Sequence, residues 1–550
     1  MLPSSIRASV SPETINRVGR LFNNTLPDVI NELLQNARRA GATRVDVALT
    51  RNDPAKLSIT DDGIGIADPA TILTLGESRW NDDISAREDP AGMGVFSLAG
   101  HDVLVTSRHK SHERAWTALI PREAWDGSQD VAVIPSDHPI GTTLTIALAD
   151  AWDDHVDRVV AAAALHYPVA VFFNGAECPR ERWLDKAIHT SNWHGCTIGV
   201  FAGSDRYHNH ILNFHGVTVP CKLPTIAEVQ GGNSYYARID IHDCPALQLV
   251  LPARKEAVEN EGLSSLREAV ERALYDAIAL QPRHSLGFQS WTRAHELGVV
   301  LSEATPQLRS WHPATADSAS GSEQSALIPA IDVICVERDE PEVEQSIAAA
   351  LRASPLRAQM VEEEPAFAGY AWYDKVSRME HFRFEVEHQA GAFTIAEATT
   401  AIPLSGHLEA SRIVMKAELR DGDRIYPIAC ETDVALVTDA ELWSDLDAAR
   451  IVYRTKLAVD DLADLLEAAY FRACDDCDSD SWDTQHRYFR SEARELALKL
   501  LCGPDEAVCD RFRSLLHDNR WLLPGDAMLH LSMEGDTITV RLDRPIGEPS

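Results

Sequence analysis

Residues 31–45 read NELLQNARRAGATRV, a helix that stops abruptly and hands over to a strand. Ile30, Leu33, Leu34 and Ala37 recur at i, i+3, i+4 and i+7, the apolar stripe of a helix packed on one side. Glu32 and Asn36 lie one turn apart, so both side chains point the same way. On a solvated helix a carboxylate beside an amide is ordinary surface, and only the rest of the chain gives the pair a meaning. Gly41 supplies the stop, which predicts a helix over 26–40.

Working outward, RVDVALT (44–50) and KLSITDD (56–62) read as two strands joined by a turn through Asn52-Asp53-Pro54, and Ser11-Pro12-Glu13 reads as an earlier helix start. Four more strand-like runs follow: HDVLVTSRH, AWTALI, DVAVIPS and GTTLTIAL. Helices early and strands late predict an α+β sandwich, with helices on one face of a mixed, mostly antiparallel sheet. A helix at 152–166, several strands and the amphipathic LSSLREAVERALYDAIAL predict a second α+β domain. The expected divisions are 1–151, 152–282, a helix with a Ser/Gly-rich linker over 283–325, and a C-terminal region mixing helices and strands over 326–550.

The chain has 550 residues, 45% hydrophobic and 25% charged, enough apolar material for several cores. No apolar run approaches the roughly 18 residues of a membrane helix. The first residues lack the apolar core of a signal peptide, and ten scattered cysteines fit reduced thiols, so a cytoplasmic protein is expected. Net charge is −33, of which residues 1–150 carry only −6. A polyanion meets repulsion over most of such a chain, which disfavours direct nucleic-acid binding.

Three further features give the Glu32/Asn36 pair its meaning. The strand ending SIT runs into Asp61-Asp62-Gly63-Ile64-Gly65. An acid at a buried strand end is costly unless something donates to it, and an adenine amine is such a donor. Gly63 and Gly65 leave room for a flat ligand. Gly92-Met93-Gly94-Val95-Phe96-Ser97 is a glycine-rich turn before an apolar stretch, whose N–H groups suit phosphate. Gly141-Thr142 opens a strand with a hydroxyl able to bond a base or a bridging water.

In order and spacing, these segments resemble the GHKL ATPases, the Bergerat-fold family of gyrase B subunits, MutL proteins, histidine kinases and ninety-kilodalton heat-shock chaperones. The stretch AGMGVFSLAGHDVLVTSRHK is similar to the chaperone branch, and QNARRAGAT resembles a MutL segment. The resemblance covers residues 11–150 well and 152–282 more loosely. It implies an N-terminal Bergerat-type sandwich, then a ribosomal-S5-like or transducer-type domain. It also implies ATP and Mg2+ as cofactors. Glu32 takes the general-base role, Asn36 holds the magnesium, and Asp61 accepts from the adenine amine. Gly63, Gly65, Gly92, Gly94 and Ser97 cradle the nucleotide, and Thr142 is a second adenine contact. Relatives carry an acid three residues after the Asn; here that residue is Arg39. Ser78-Arg79 resembles a Ser/Thr-Lys pair of the lid.

The run LVLPARKEAVENEGL resembles the segment through which the second domain reaches the γ-phosphate, with Arg254 in one register and Lys255 in the other. The implied function is a slow, Mg-dependent ATPase that dimerises on binding ATP, a conformational switch acting on a protein client or partner. The alternative is the ATPase subunit of a DNA repair, topoisomerase-like or defence complex whose DNA contacts come from a partner. A histidine kinase is not expected, because too few residues precede the first helix for a phosphoacceptor hairpin. His208-Asn209-His210 lacks a nuclease context, and Cys474-Asp475-Asp476-Cys477 lacks the second Cys pair of a zinc site.

Overall fold

The computed structural model describes residues 25–51, 55–74, 98–126, 129–148, 155–203, 211–248, 256–317, 325–354, 356–396, 406–437, 446, 449–474, 479–522 and 527–543. The chain divides into two units, Met1–Ala304 and Thr305–Ser550. The early helix start at Ser11 and the Asn52–Pro54 turn lie outside the described residues.

Helix α1 spans Leu26–Arg39. Thr25 caps it, its hydroxyl accepting from the Asp28 N–H, while Arg38 and Arg39 in the last turn complement the helix dipole. Its stripe of Val29, Ile30, Leu33, Leu34 and Ala37 is buried. This stripe lies on a sheet of eight strands among the described residues: β1 (Arg44–Thr50), β2 (Lys56–Asp61), β3 (Val103–Arg108), β4 (Ala115–Ile120), β5 (Val133–Ser136), β6 (Gly141–Ala147), β7 (Ala170–Phe173) and β8 (Ala176–Glu177). The spatial order is β5-β4-β3-β6-β2-β1-β7-β8, antiparallel except where β7 runs parallel to β1. A second helix, α2 (Val156–Ala164), connects β6 to β7 and packs on α1.

The sheet is two-faced, as period-2 alternation requires. Val45, Val47, Leu57, Ile59, Val103, Val105 and Ile146 are buried in one core with α1. The opposite face carries hydroxyls paired across strands: Ser58 with Thr145 and Thr60 with Thr143, each at 2.9 Å, and Thr106 with Thr117 at 3.0 Å. The Asn174-Gly175 turn forms as its sequence predicts, with both residues at positive φ (48° and 84°). That hairpin joins the first sheet, so this core runs to Cys178 and takes in residues that sequence reading grouped with the second domain.

Further along the first unit, six strands among the described residues form a second sheet: β9 (His189–Trp193), β10 (Cys196–Gly203), β11 (Ile211–Phe214), β12 (Val217–Pro220), β13 (Ile226–Ala227) and β14 (Ser234–Ile241). The 19-residue α3 (Glu261–Ala279), capped by the Asn260 side chain, shares its core. The β11–β12 turn meets the first core. The Gln35 amide donates to the His215 carbonyl at 2.8 Å, and the Tyr167 hydroxyl donates to the Leu34 carbonyl. A Cβ at Gly216 would sit 2.8 Å from the Tyr167 Cα, so the turn lies flat against that residue.

The second unit is also α+β. Its main sheet joins Gln359–Glu362, Val333–Val336, Ser377–His388, Arg412–Asp421 and Arg424–Thr432, the first three parallel and the others antiparallel. Helices Pro341–Arg352, Val459–Tyr470 and Trp482–Leu501 supply buried side chains. The fully buried Glu344 pairs with Arg338 at 2.9 Å and accepts from the Ala314 and Asp339 N–H groups. Met528–Glu534 and Thr537–Asp543 form a two-stranded ribbon that leaves Met533, Ile538 and Val540 exposed. Among the described residues no helix is long and apolar enough to cross a membrane.

Gly141 fixes how β6 begins. Its φ is +129°, and a Cβ there would lie 2.1 Å from the Asp61 carbonyl oxygen. Gly141→Ala is therefore expected to destabilise the first domain by about 2 kcal/mol or more. Urea unfolding checks this; an unchanged midpoint would contradict the close approach of the two strands.

Candidate functional site

The site begins where three buried rows stop being apolar. On β2 the inward row runs Leu57, Ile59, Asp61; on β3 it runs Val103, Val105, Ser107; on β6 it runs Ile146, Leu144, Thr142. Register aligns these ends, with Thr142 opposite both Asp61 and Ser107. One level of the core thus changes from hydrocarbon to carboxylate and hydroxyl, on the face that α1 covers.

Ser107 is fully buried and ties this level together. Its hydroxyl accepts from the Ile66 N–H at 2.8 Å and lies 3.0 Å from both the Gly141 carbonyl and the Thr142 hydroxyl. Ser107 carries no signal in the sequence, where it is one polar residue in SRHK until register sets it beside Thr142.

The loop after Asp61 is stitched to the end of α1. The Ile64 N–H donates to the Ala40 carbonyl at 2.9 Å, and the Lys110 N–H to the Ile64 carbonyl at 2.9 Å. Gly65 has φ +75°, and a Cβ on it would lie 2.1 Å from the Arg108 carbonyl oxygen. Asp62 is exposed and structural. Burial works against its charge, but hydrogen bonds from the Thr43 hydroxyl and from the Arg44 and Thr43 N–H groups win and hold it below the usual carboxylate range. Asp61 behaves oppositely. Desolvation pushes its carboxyl up to about 6, against hydrogen bonds from the Gly63 N–H at 2.9 Å and from Thr142. Two adjacent acids are thus separated by environment, and the buried one is the candidate ligand.

On α1, Glu32 and Asn36 share a face as their spacing predicts, joined by a third member. Arg39 Nη1 donates to Asn36 Oδ1 at 3.1 Å and lies 3.6 Å from Glu32 Oε1, with the Arg39 side chain only 3% exposed and that of Glu32 15% exposed. The structure therefore assembles Glu32, Asn36, Asp61, Gly63, Gly65 and Thr142 along α1 and the strand ends it faces. Ser78, Arg79, Gly92, Gly94 and Ser97 lie outside the described residues, as do Arg254 and Lys255. His208-Asn209-His210 and Cys477 also lie outside them. His486 Nε2 is 2.6 Å from Glu467 Oε1, and among the described residues no His, Cys, Asp and Glu cluster is placed to hold a metal.

Residues 24–140 match the family described as histidine kinase-, DNA gyrase B-, and HSP90-like ATPase. This segment is a GHKL ATPase domain. DNA mismatch repair protein MutL of Shewanella loihica is 33% identical to the chain over 130 residues, 22% of this chain and 20% of that protein. MutL of Escherichia coli O1:K1 is 32% identical over 126 residues, with the same shares. The match thus spans about a fifth of the length of these curated relatives. Among solved structures, the ATPase and transducer domains of Balamuthia mandrillaris DNA topoisomerase II overlay with a TM-score of 0.29 and 15% identity, over 35% of this chain and 60% of that one. The ATPase region of Saccharomyces cerevisiae topoisomerase II gives 0.32 and 12%, over 44% and 82%. Likeness at that level adds nothing to the α+β assignment, which rests on the sheets themselves.

The Asp61 carboxyl carries a pH signature. Its folded pKa, about 6, lies above its ordinary value of 3.8, so the native state binds the extra proton. Its stabilising contribution is complete below pH 3.8 and is lost as pH rises through about 6. Asp61→Asn should flatten that part of the curve and gain stability over wild type at pH 7 but not at pH 4. Urea unfolding at both values checks the sign.

Proposed function

We propose that the chain binds ATP between α1 and the strand ends, hydrolyses it slowly with Mg2+, and uses the cycle as a conformational switch. The observation that carries this reading is the shared level of Asp61, Ser107 and Thr142, beside the helix that holds Glu32 and Asn36. The polar level suits a base. A carboxylate at Asp61 accepts from the adenine N6 amine, and repels the carbonyl that guanine presents there. Thr142 lies beside it as a second contact for the base.

Glu32 is the general base that takes a proton from the attacking water. Asn36 points the same way, and its amide oxygen is a donor of the kind a hard cation takes. Asn36 would hold Mg2+ through its amide oxygen, which also accepts from Arg39. When bound, Mg2+ neutralises charge on the phosphates. Gly92, Gly94 and Ser97 are assigned to the phosphate cradle. Arg254 or Lys255 reaches the γ-phosphate from a transducer-type second domain, and so distinguishes ATP from ADP.

The contact of Gln35 with His215 supports coupling to that domain, because the helix bearing Glu32 touches it directly. The switch is read as a dimer closing on ATP, acting on a protein client or partner in a chaperone-like or MutL-like manner in the cytoplasm. A second reading, an ATPase subunit of a DNA repair, topoisomerase-like or defence complex, is favoured by the two MutL proteins at 32–33% identity. Residues 305–550 hold 24 Lys+Arg against 46 Asp+Glu, so that reading needs a partner to supply the DNA contacts.

Glu32→Ala should keep ATP binding and lose hydrolysis by about 10²-fold or more. Retention of wild-type turnover would remove the general-base assignment. Asp61→Asn should weaken ATP by about 1–3 kcal/mol. Wild-type affinity should itself fall as pH drops below about 6, where Asp61 becomes protonated. Calorimetry with ATP and GTP decides the point, and equal affinity of the wild type for the two would refute adenine selection.

A further inference from the structure

Arg39 is a cation where sequence resemblance implies an acid, and it is buried. A guanidinium taken out of water is costly unless it is matched. Arg38, its neighbour in the same last turn, is only half-buried and donates through Nε to Gln35 at 3.3 Å, so cationic complementation of the helix end does not require burying Arg39. The Arg39 side chain runs back along α1, as helical side chains do, past Asn36 at i−3 toward Glu32 at i−7. One nitrogen, Nη1, serves both groups: 3.1 Å to Asn36 Oδ1 and 3.6 Å to Glu32 Oε1.

We propose that Arg39 is a positioning residue of the hydrolytic site, a resident cation that holds the Glu32 carboxylate and the Asn36 amide oxygen as one unit before nucleotide arrives. This rests on the reading of Glu32 as general base. A glutamate on a helix surface has three rotatable bonds, and a base that must meet one water in one direction loses rate when it samples the others. A charge fixed beside one carboxylate oxygen removes most of that freedom. The same contact orients the Asn36 amide, setting its oxygen rather than its NH2 group toward the cation, because an amide nitrogen cannot accept the Arg39 donor. Arg39 therefore acts through Glu32 and Asn36 and not on the nucleotide, and its removal should show in turnover rather than in affinity.

The test uses the full chain with Arg39→Gln, Arg39→Lys and Glu32→Ala. It measures ATP turnover, KM, equilibrium binding of a fluorescent ATP analogue, and the thermal midpoint. Arg39→Gln should lower kcat by about 30-fold with KM and analogue affinity within about threefold of wild type. Arg39→Lys, whose ammonium can bridge the same two oxygens, should recover most of that loss. Arg39→Met, which keeps the apolar stem, replaces Arg39→Gln if the latter does not fold. Wild-type kcat in the charge-free variant beside an inactive Glu32→Ala would overturn the role of Arg39 alone. Equal losses in kcat and analogue affinity would also overturn it, by making Arg39 a support of the pocket at large. An active Glu32→Ala would remove the general-base reading and this inference with it.

Discussion

A carboxylate at the buried end of a strand is held at a cost, since desolvation opposes its charge more strongly than two backbone N–H groups restore it. Asp61 bears that cost, and much of the first domain is arranged around it. Its strand must end at the level where β3 and β6 also turn polar. The backbone of β6 must approach so closely that only glycine fits at position 141. The loop beyond it must turn back on the carbonyls of Ala40 and Arg108. A polar level of this kind inside an otherwise apolar core is weak design for stability alone. On the proposed reading it is the surface that takes a flat, hydrogen-bonding base.

The helix solves a different problem with the same economy of faces. One stripe of α1 is apolar and fastens it to the sheet. A second carries Glu32, Asn36 and Arg39, with the Arg39 guanidinium set against both of the others. Positional precision there comes from charge and from the rigidity of the helix, whereas at Asp61 it comes from strand register.

Much of this was legible in the sequence. The stripe through Ile30, Leu33, Leu34 and Ala37 and the stop at Gly41 predicted a helix over 26–40, and it spans Leu26–Arg39. Strands at 44–50 and 56–62 appear as Arg44–Thr50 and Lys56–Asp61. The periods are local, so local reading suffices. What was not legible depends on pairing between distant segments. Ser107 gains its meaning only from the register of β3 against β6. The hairpin at Asn174-Gly175 is legible as a hairpin, yet its parallel partner β1 lies more than a hundred residues earlier and leaves no local mark. Arg39 stands out in the sequence as a departure, but a list of residue types does not say whether an arginine at a helix end faces solvent or folds back along its own helix.

Gln35 sits between Leu34, which faces the core, and Asn36, which faces the candidate site, and it is bonded to the His215 carbonyl of the neighbouring turn. A rigid helix cannot turn one of these faces without turning the others. Rotation about its axis by even a fraction of the roughly 100° between successive residues would break the Gln35 bond as it re-aimed Glu32. The helix is thus a shaft with three flats, and a wrench applied to any one of them is felt at the other two.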